Sequence, residues 1–384
     1  MKLDLFHDLG EEKGPFASVT FDVTRTDPNS IANLRARWRL AERTLRKSGV
    51  PEDIVSEMGE ATLEPTGKGG QWGRLLVANA EGLVLQQDLH GRPDEDVSWG
   101  PVPSLLPAVR VLEAIVPHVV VRLDRTGADI EVTGGVGDTE EELEVQGDHD
   151  VVHRFKGGGW SQHRFELRAQ DSWEHNAATV AQQLDRLVRR HRPAVVILMG
   201  DERAMTYLEE HASEGLRSLL VRTDTGGRAE GTDEQKEREA VEEILAAIRA
   251  QAEADLVARF EEQTARAEAA TEGLDPVVEV LQRAQAEELI FVDGREHDGQ
   301  LWVGEGRLQL GTSREDAEMT GAEHPVQVPA DTALVWAAVC SRAGVSCLDR
   351  KQANPSDGVG AVLRWSDEAT PHSRVPSMPG HGGT

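Results

Sequence analysis

The chain has 384 residues, 39% hydrophobic and 28% charged, the balance of a soluble globular protein with room for two or three cores. Its 68 acidic against 41 basic side chains, a formal net charge of −27, exclude a histone-like or blanket RNA-coating protein. They leave local contact with phosphate open, because potentials are screened within about 8 Å at physiological salt. No apolar run approaches the roughly 20 residues that span a bilayer. The acidic start MKLDLFHDLGEEKGPF lacks the basic and apolar regions of a signal peptide, so a cytoplasmic protein with no membrane partner is expected. Two cysteines, Cys340 and Cys347, are too few for a disulfide framework and wrongly spaced for a zinc knuckle.

In chain order, Pro15 to Val23 alternates and reads as a strand. A helix follows over Ser30 to Lys47, with Ile31, Leu34, Trp38, Ala41 and Leu45 on one face and Arg35, Arg39, Arg43 and Arg46 largely off it. Gly73 to Ala80 and Gly82 to Gln86 form a hairpin about Glu81-Gly82. Pro101, Pro103 and Pro107 punctuate what reads as a linker. His118 to Arg125 is apolar enough for a buried central strand and turns at Thr126-Gly127 into ADIEVTG. After a polar, acidic connection comes the stretch RFKGGGWSQHRFELR, Arg154 to Arg168. A helix over Ser172 to His191 ends at Pro193, and Ala194 to Gly200 is a second buried strand. A short helix over Ala204 to Glu210, the strand LRSLLVRTD and a long helix over Thr232 to Ala270 follow, the last opened by a capping box of Thr232 with Gln235. The end of the chain alternates helix DPVVEVLQRAQ, strand ELIFVDG, hairpin-like LWVGEG, helix TALVWAAVCSRAG, strand VSCLDR and strand DGVGAVLRW. These elements are α/β in class and group as three domains. Residues 1–105 form an N-terminal αβ domain, 106–270 a middle domain with the glycine-rich finger and long helix, and 271–366 a small α/β/α sandwich. Residues 367–384 have no apolar periodicity and read as a disordered tail.

The finger carries the functional signal. Three consecutive glycines, Gly157, Gly158 and Gly159, cost backbone entropy and suit a close approach of backbone to a ligand. Arg154, Lys156, Arg164 and Arg168 make that ligand anionic, Trp160 suits stacking on a base, and Ser161, Gln162 and His163 are polar groups that read a base edge or a 2′-hydroxyl. The plainer reading is an exposed loop with scattered arginines. Arg186, Arg189, Arg190 and Arg192 end a helix, where cations oppose the negative end of its dipole, and that suffices to explain them without RNA. Arg35, Arg37, Arg39 and Arg43 on the first helix are equally open to either reading. No nucleotide-binding, metalloprotease or nucleophile-elbow motif is present. Asp124, Asp129 and Asp201 are the carboxylates to nominate for a metal nuclease, and each also suits a turn or cap. His163, His175 and His191 bracket the finger and its helix. No catalytic residue, metal or cofactor is assigned. Gly69-Gly70-Gln71 reads as a turn before the strand GRLLVANA.

The order GPFASVTFD, VVVRLDRTGADIEV, QHRFE with Asn176 in the helix after it, PAVVILMGDER and DGVGAVLRW resembles the bacterial archaeo-eukaryotic release-factor-like family (family 2), related to Pelota and the hibernation factor Balon. The resemblance runs from about Gly14 to Trp365. It implies a three-domain, tRNA-shaped factor with an RNase H-like middle domain and a C-terminal domain like that of Pelota. Such a factor enters the A site of the 70S ribosome, its N-domain facing the decoding centre and its C-domain a translational GTPase, here elongation factor Tu or another. The middle-domain loop of release factors carries Gly-Gly-Gln, whereas this chain has Gly158-Gly159-Trp160-Ser161-Gln162. The resemblance therefore implies ribosomal RNA contact and A-site occupancy without peptide hydrolysis, in hibernation or rescue under stress. Two alternatives stay open: an enzyme that hydrolyses peptidyl-tRNA or RNA through Gln162 or His163, and a stress-linked interaction protein that never meets the ribosome.

Overall fold

The computed structural model describes residues 3–124, 126–146, 152–155, 172–228, 233–292 and 299–371. The chain divides into two compact units, Met1–Glu113 with Glu253–Thr384, and Ala114–Ala252. The sequence suggested breaks at 105/106 and 270/271.

The first segment is built of β1 (Phe16–Asp22), α1 (Ser30–Lys47), α2 (Glu52–Leu63), β2 (Trp72–Asn79), β3 (Gly82–His90), β4 (Asp96–Gly100) and α3 (Leu106–Glu113). The strands form an antiparallel sheet in the order β3-β2-β1-β4. Ala17, Val19 and Phe21 alternate along β1 and meet Leu34, Trp38 and Leu45 of α1 and Ile54 and Met58 of α2. Ile31, expected on that face, is 40% exposed one turn before the first buried side chain. The helix α2 has its own sequence signal: Glu52 and Asp53 in the first turn complement the dipole, and Ile54, Val55, Met58 and Ala61 are buried at helical spacing. The proline-punctuated stretch is packed rather than a linker. Val102 and Leu105 are buried, Ser104 N–H donates to Ser18 Oγ at 3.2 Å, and Pro107 lies in the first turn of α3, where its missing N–H costs nothing.

The second unit holds β5 (His118–Leu123), β6 (Gly127–Thr133), β7 (Thr139–Gln146), β8 (Val152–Phe155), α4 (Ser172–His191), β9 (Val195–Gly200), α5 (Glu202–His211), α6 (Glu214–Arg217), β10 (Leu220–Thr223) and the first part of α7 (Glu234–Arg266). Its six-stranded sheet runs β10-β9-β5-β6-β7-β8. Strands β5, β6, β7 and β8 pair antiparallel, and β9 and β10 are parallel to β5. Counted from β5, five of these strands have the order 3-2-1-4-5 of the RNase H-like fold, extended at one edge by β8. The acidic connection in the sequence proves to be β7, with Leu143 and Val145 buried between exposed-side glutamates. Its alternation was masked by its charge. Val180, Leu184 and Leu187 of α4 cover one face, and Val241, Ile244, Leu245 and Ile248 of α7 cover the other. Asp233 caps α7, its Oδ1 accepting from Gln235 N–H at 3.2 Å and Lys236 N–H at 3.3 Å; Thr232 of the expected capping box lies outside the described residues.

The last segment continues with β11 (Ala270–Glu272), α8 (Leu274–Gln282), β12 (Ala286–Val292), β13 (Gln300–Val303), β14 (Leu310–Gly311), α9 (Arg314–Met319), β15 (Val326–Pro329), α10 (Ala330–Ser341), β16 (Gly344–Leu348) and β17 (Val359–Leu363). A four-stranded sheet in the order β11-β17-β12-β16 packs Ile290, Leu348 and Val362 against Leu256, Val257 and Phe260 of α7. A Cβ at Gly360 would lie 2.7 Å from the Phe260 ring. The run ALVWAAVC makes α10 apolar on all sides, and it is buried from Ala333 to Ser341. The small sheet β14-β13-β15 stands apart from the first. Of the expected disordered tail, residues 367–371 are ordered instead: Thr370 is buried and its Oγ1 accepts from Gln285 Nε2 at 2.9 Å, while Arg283 donates to the Ala369 carbonyl at 2.8 Å. Residues 372–384 lie outside the described residues.

The two segments of this unit meet through buried contacts. Phe16 and Trp336 rings lie 5.7 Å apart, and both Glu113 carboxyl oxygens accept from Cys347 N–H at 2.8 Å. Burial pushes the Glu113 carboxyl up to about 7, against the opposing hydrogen bond from Cys347. Between the ordinary value and about 7 the folded state retains a proton that the unfolded chain has lost, so stability falls as pH rises through that window. Glu113→Gln should therefore flatten the decline in thermal stability from about pH 5 to 7, by up to about 1.4 kcal/mol per pH unit. Thermal melts of wild type and variant across that range check it, and parallel profiles would refute it.

Candidate nucleic-acid interface

Strands β5 and β9 lie side by side in parallel, with Val119 opposite Val196 and Leu123 opposite Gly200. Both therefore end at one edge of the layer. Gly200 has φ +117°, and a Cβ there would sit 2.0 Å from the Leu123 carbonyl oxygen, so only glycine permits the two ends to close. Asp201 N–H then donates to that carbonyl at 3.0 Å.

The three nominated carboxylates all lie in this unit but do not form a metal centre. Asp124 Oδ1 closes the β5–β6 turn, accepting from Thr126 N–H at 2.7 Å and Gly127 N–H at 3.0 Å. Asp201 is the N-cap of α5, accepting from Arg203 and Ala204 N–H at 3.0 and 3.1 Å. Asp129 binds Arg228 at 2.9 Å. Turn, cap and ion pair are structural duties. Among the described residues no group of three or more His, Cys, Asp or Glu is placed to hold a metal ion.

Arg228 occupies the middle of the acidic edge instead. Its guanidinium, 14% exposed, reaches Asp124 at 3.0 Å, Asp129 at 2.9 Å and Glu144 at 3.2 Å. Burial raises the Asp129 carboxyl above its ordinary value, against the pull of Arg228. Beside it, Arg122 spans Glu237 at 2.5 Å and Glu131 at 3.2 Å. Arg228 has no signal in the sequence beyond its place after Gly226-Gly227, since its partners lie 84 to 104 positions away.

The finger begins at this sheet's free edge. Arg154 is in β8, opposite Leu143 of β7, and β8 is the outermost strand. Lys156, Gly157, Gly158, Gly159, Trp160, Ser161, Gln162, His163, Arg164 and Arg168 lie outside the described residues, and the chain resumes at α4. Of the histidines, His163 lies outside the described residues, His175 is in α4, and His191 ends α4 in contact with Glu140 at 2.7 Å and Glu141 at 3.2 Å. Glu141 also binds Arg190 at 3.3 Å, so β7 partly neutralises the basic end of α4. Arg186, Arg189 and Arg192 remain exposed. In the other unit, Gly69-Gly70-Gln71 is an exposed turn, with Gly70 at φ +89° and the Gly69 carbonyl accepting from Trp72 Nε1 at 2.7 Å.

Residues 117–266 match the model of the family described as bacterial archaeo-eukaryotic release factor family 2. The chain is 26% identical over 371 residues, 95% of its length and 97% of the relative's, to an uncharacterized protein of Mycobacterium tuberculosis found in two strains. Among solved structures it is similar to Archaeoglobus fulgidus Pelota, at 16% identity over 94% of this chain and 92% of that one, with a TM-score of 0.33. It is also similar to Dom34 of S. cerevisiae, described as a translation termination-like factor, at 9% identity over 96% and 94% with a TM-score of 0.39.

Replacing Arg228 by methionine leaves three carboxylates without their cation. Asp129, the most buried of the three and raised by burial, loses the opposing pull of Arg228, so the variant's deficit is largest at neutral pH and shrinks as acid protonates it. A loss of about 3 kcal/mol at neutral pH is expected, recovered in part below about pH 5. Urea denaturation at two pH values measures it; a deficit that does not change with pH would refute the assignment.

Proposed function

We propose that the chain, whose residues 117–266 match the model of bacterial archaeo-eukaryotic release factor family 2, occupies the ribosomal A site without hydrolysing peptidyl-tRNA, in ribosome hibernation or rescue. The observation that carries this reading is the segment between β8 and α4. It leaves the sheet edge of the family-matched unit with the basic, glycine-rich sequence KGGGWSQHR, in which Trp160 and Ser161 separate the glycines from Gln162. A glutamine that positions water must stand at a set distance from the backbone that grips the tRNA end, and two inserted residues move it. The carboxylates that offer an alternative chemistry are engaged as turn, cap and ion-pair partners. What remains suited to the finger is contact: arginines for phosphate, tryptophan for stacking, glycine for close backbone approach. Elongation factor Tu or another translational GTPase is the proposed accompanying partner, and ribosomal RNA the proposed ligand.

Cosedimentation of the purified protein with 70S ribosomes tests the reading. Deleting Gly157 to Gln162 should weaken binding about tenfold or more while the circular dichroism spectrum is kept, and binding should fall steeply with salt. Unchanged binding by a folded deletion variant would remove the finger as a contact. Peptidyl-tRNA turnover by the wild-type protein that disappears with Gln162→Ala would replace occupancy with hydrolysis.

A further inference from the structure

The helix α1 carries six cations, Arg35, Arg37, Arg39, Arg43, Arg46 and Lys47, and a single carboxylate, Glu42. Two of the cations are accounted for by ion pairs. Arg37 binds Glu95 and donates to the Asp22 carbonyl at 2.9 Å; Arg46 binds Glu42 at 3.0 Å and Glu52 at 2.5 Å. The other four, Arg35, Arg39, Arg43 and Lys47, recur every fourth residue, are all exposed, and have no carboxylate within ion-pairing distance among the described residues. The opposite face is spent: Leu34, Trp38, Ala41 and Leu45 are buried against the sheet.

This arrangement opposes the helix's own stability. Like charges four residues apart destabilise a helix by about 0.2–0.5 kcal/mol per pair, and the stripe contains three such pairs. Of the four, only Lys47 lies in the last turn, where the helix dipole favours a cation. In a chain with 27 more acidic than basic groups, acids to relieve the stripe are plentiful, yet among the described residues none stands within ion-pairing distance of it. A row of unpaired cations at roughly 6 Å intervals along an exposed helix is the complement of a row of phosphates.

We propose that the outward face of α1 binds the phosphodiester backbone of a nucleic-acid strand, with Arg35, Arg39, Arg43 and Lys47 each contacting a phosphate. This goes beyond the role of the finger and does not depend on it; in the setting proposed above the strand is RNA. Phosphate contacts carry no base information, so the surface positions the protein rather than reading sequence. An anionic membrane is the less suitable partner. Beside the stripe only Ile31 and Leu40 are exposed large apolar side chains, 40% and 62%, and an interfacial helix needs a continuous apolar face, which α1 has already buried. A broad anionic plane would also meet the surrounding acidic surface, whereas a strand can follow the stripe alone.

The test is fluorescence anisotropy of full-length protein with labelled oligouridylate and oligothymidylate across a salt series. Four contacts to a single strand predict a contribution of about −3 to the slope of log K against log salt, or on the order of 50-fold between about 50 and 200 mM. The variant R35Q/R39Q/R43Q/K47Q, in which glutamine keeps helix propensity, should lose that part of the slope on both probes without a lower melting temperature. If the fourfold variant melts lower, the single variant R39E, at the centre of the stripe, should still weaken binding. The finger deletion, measured alongside, separates the two surfaces: it should leave the stripe's share of the slope in place. Unchanged affinity and slope in a folded stripe variant would overturn the proposal. So would wild-type protein that ignores both probes, or that binds phosphatidylserine vesicles through these residues instead.

Discussion

The scarcity of positive charge governs this molecule. With acids far in excess of bases, the most deeply buried arginines among the described residues, Arg74, Arg122 and Arg228, are held by carboxylates, because a buried unpaired guanidinium would cost several kcal/mol. Arg74 is 2% exposed and binds Asp88 at 2.6 Å along with the carbonyls of Ala61 and Glu64. Arg122 and Arg228 do the same for the second unit, tying β5, β6, β7 and α7 at their polar faces. These three arginines cross-link strands whose register the buried apolar side chains already set, and they turn acidic excess into cohesion.

That same bookkeeping of charge separates structure from function. Carboxylates at the ends of parallel strands would ordinarily suggest metal chemistry on a fold of this topology. Here Asp124 and Asp201 accept from turn and cap amides through Oδ1, and Asp129 is held by a guanidinium, so each carboxylate of the acidic edge has a structural duty. Cations without partners are the informative exceptions. Among the described residues they include Arg35, Arg39, Arg43 and Lys47 on the outer face of α1 and Arg186, Arg189 and Arg192 around the end of α4. The finger follows β8 in the chain; among the described residues β8 pairs with β7, which carries Glu140 and Glu141 against the end of α4.

Much of the fold was legible because it rests on local periodicity. The bounds of α1 and α4, the hairpin β5–β6, the buried strand β9 and the apolar helix α10 all follow from spacing and from glycine or proline punctuation. The misses share a cause. In α2 and β7 short apolar patterns are diluted by glutamate, and the charged residues dominate any reading by composition. The prolines at 101, 103 and 107 suggested an open linker because proline is common there, but Val102 and Leu105 bury their side chains, and burial is not a local property.

The sequence by itself determined the class of the protein: α/β elements, a stretch over residues 117–266 that matches the model of a release-factor family, a basic glycine-rich finger, and Gln162 separated from its glycines by two residues. These are one-dimensional facts, set by residue type and spacing. Only the tertiary structure decided what the charges do. Arg228 meets Asp124, Asp129 and Glu144 across 84 to 104 residues, and Glu113 meets Cys347 across 234. Whether a carboxylate is a ligand, a cap or a counter-ion depends on which donor the fold brings within about 3 Å. For the same reason the α1 stripe is set apart by its fold: Arg37 and Arg46 meet carboxylates, while Arg35, Arg39, Arg43 and Lys47 meet none among the described residues.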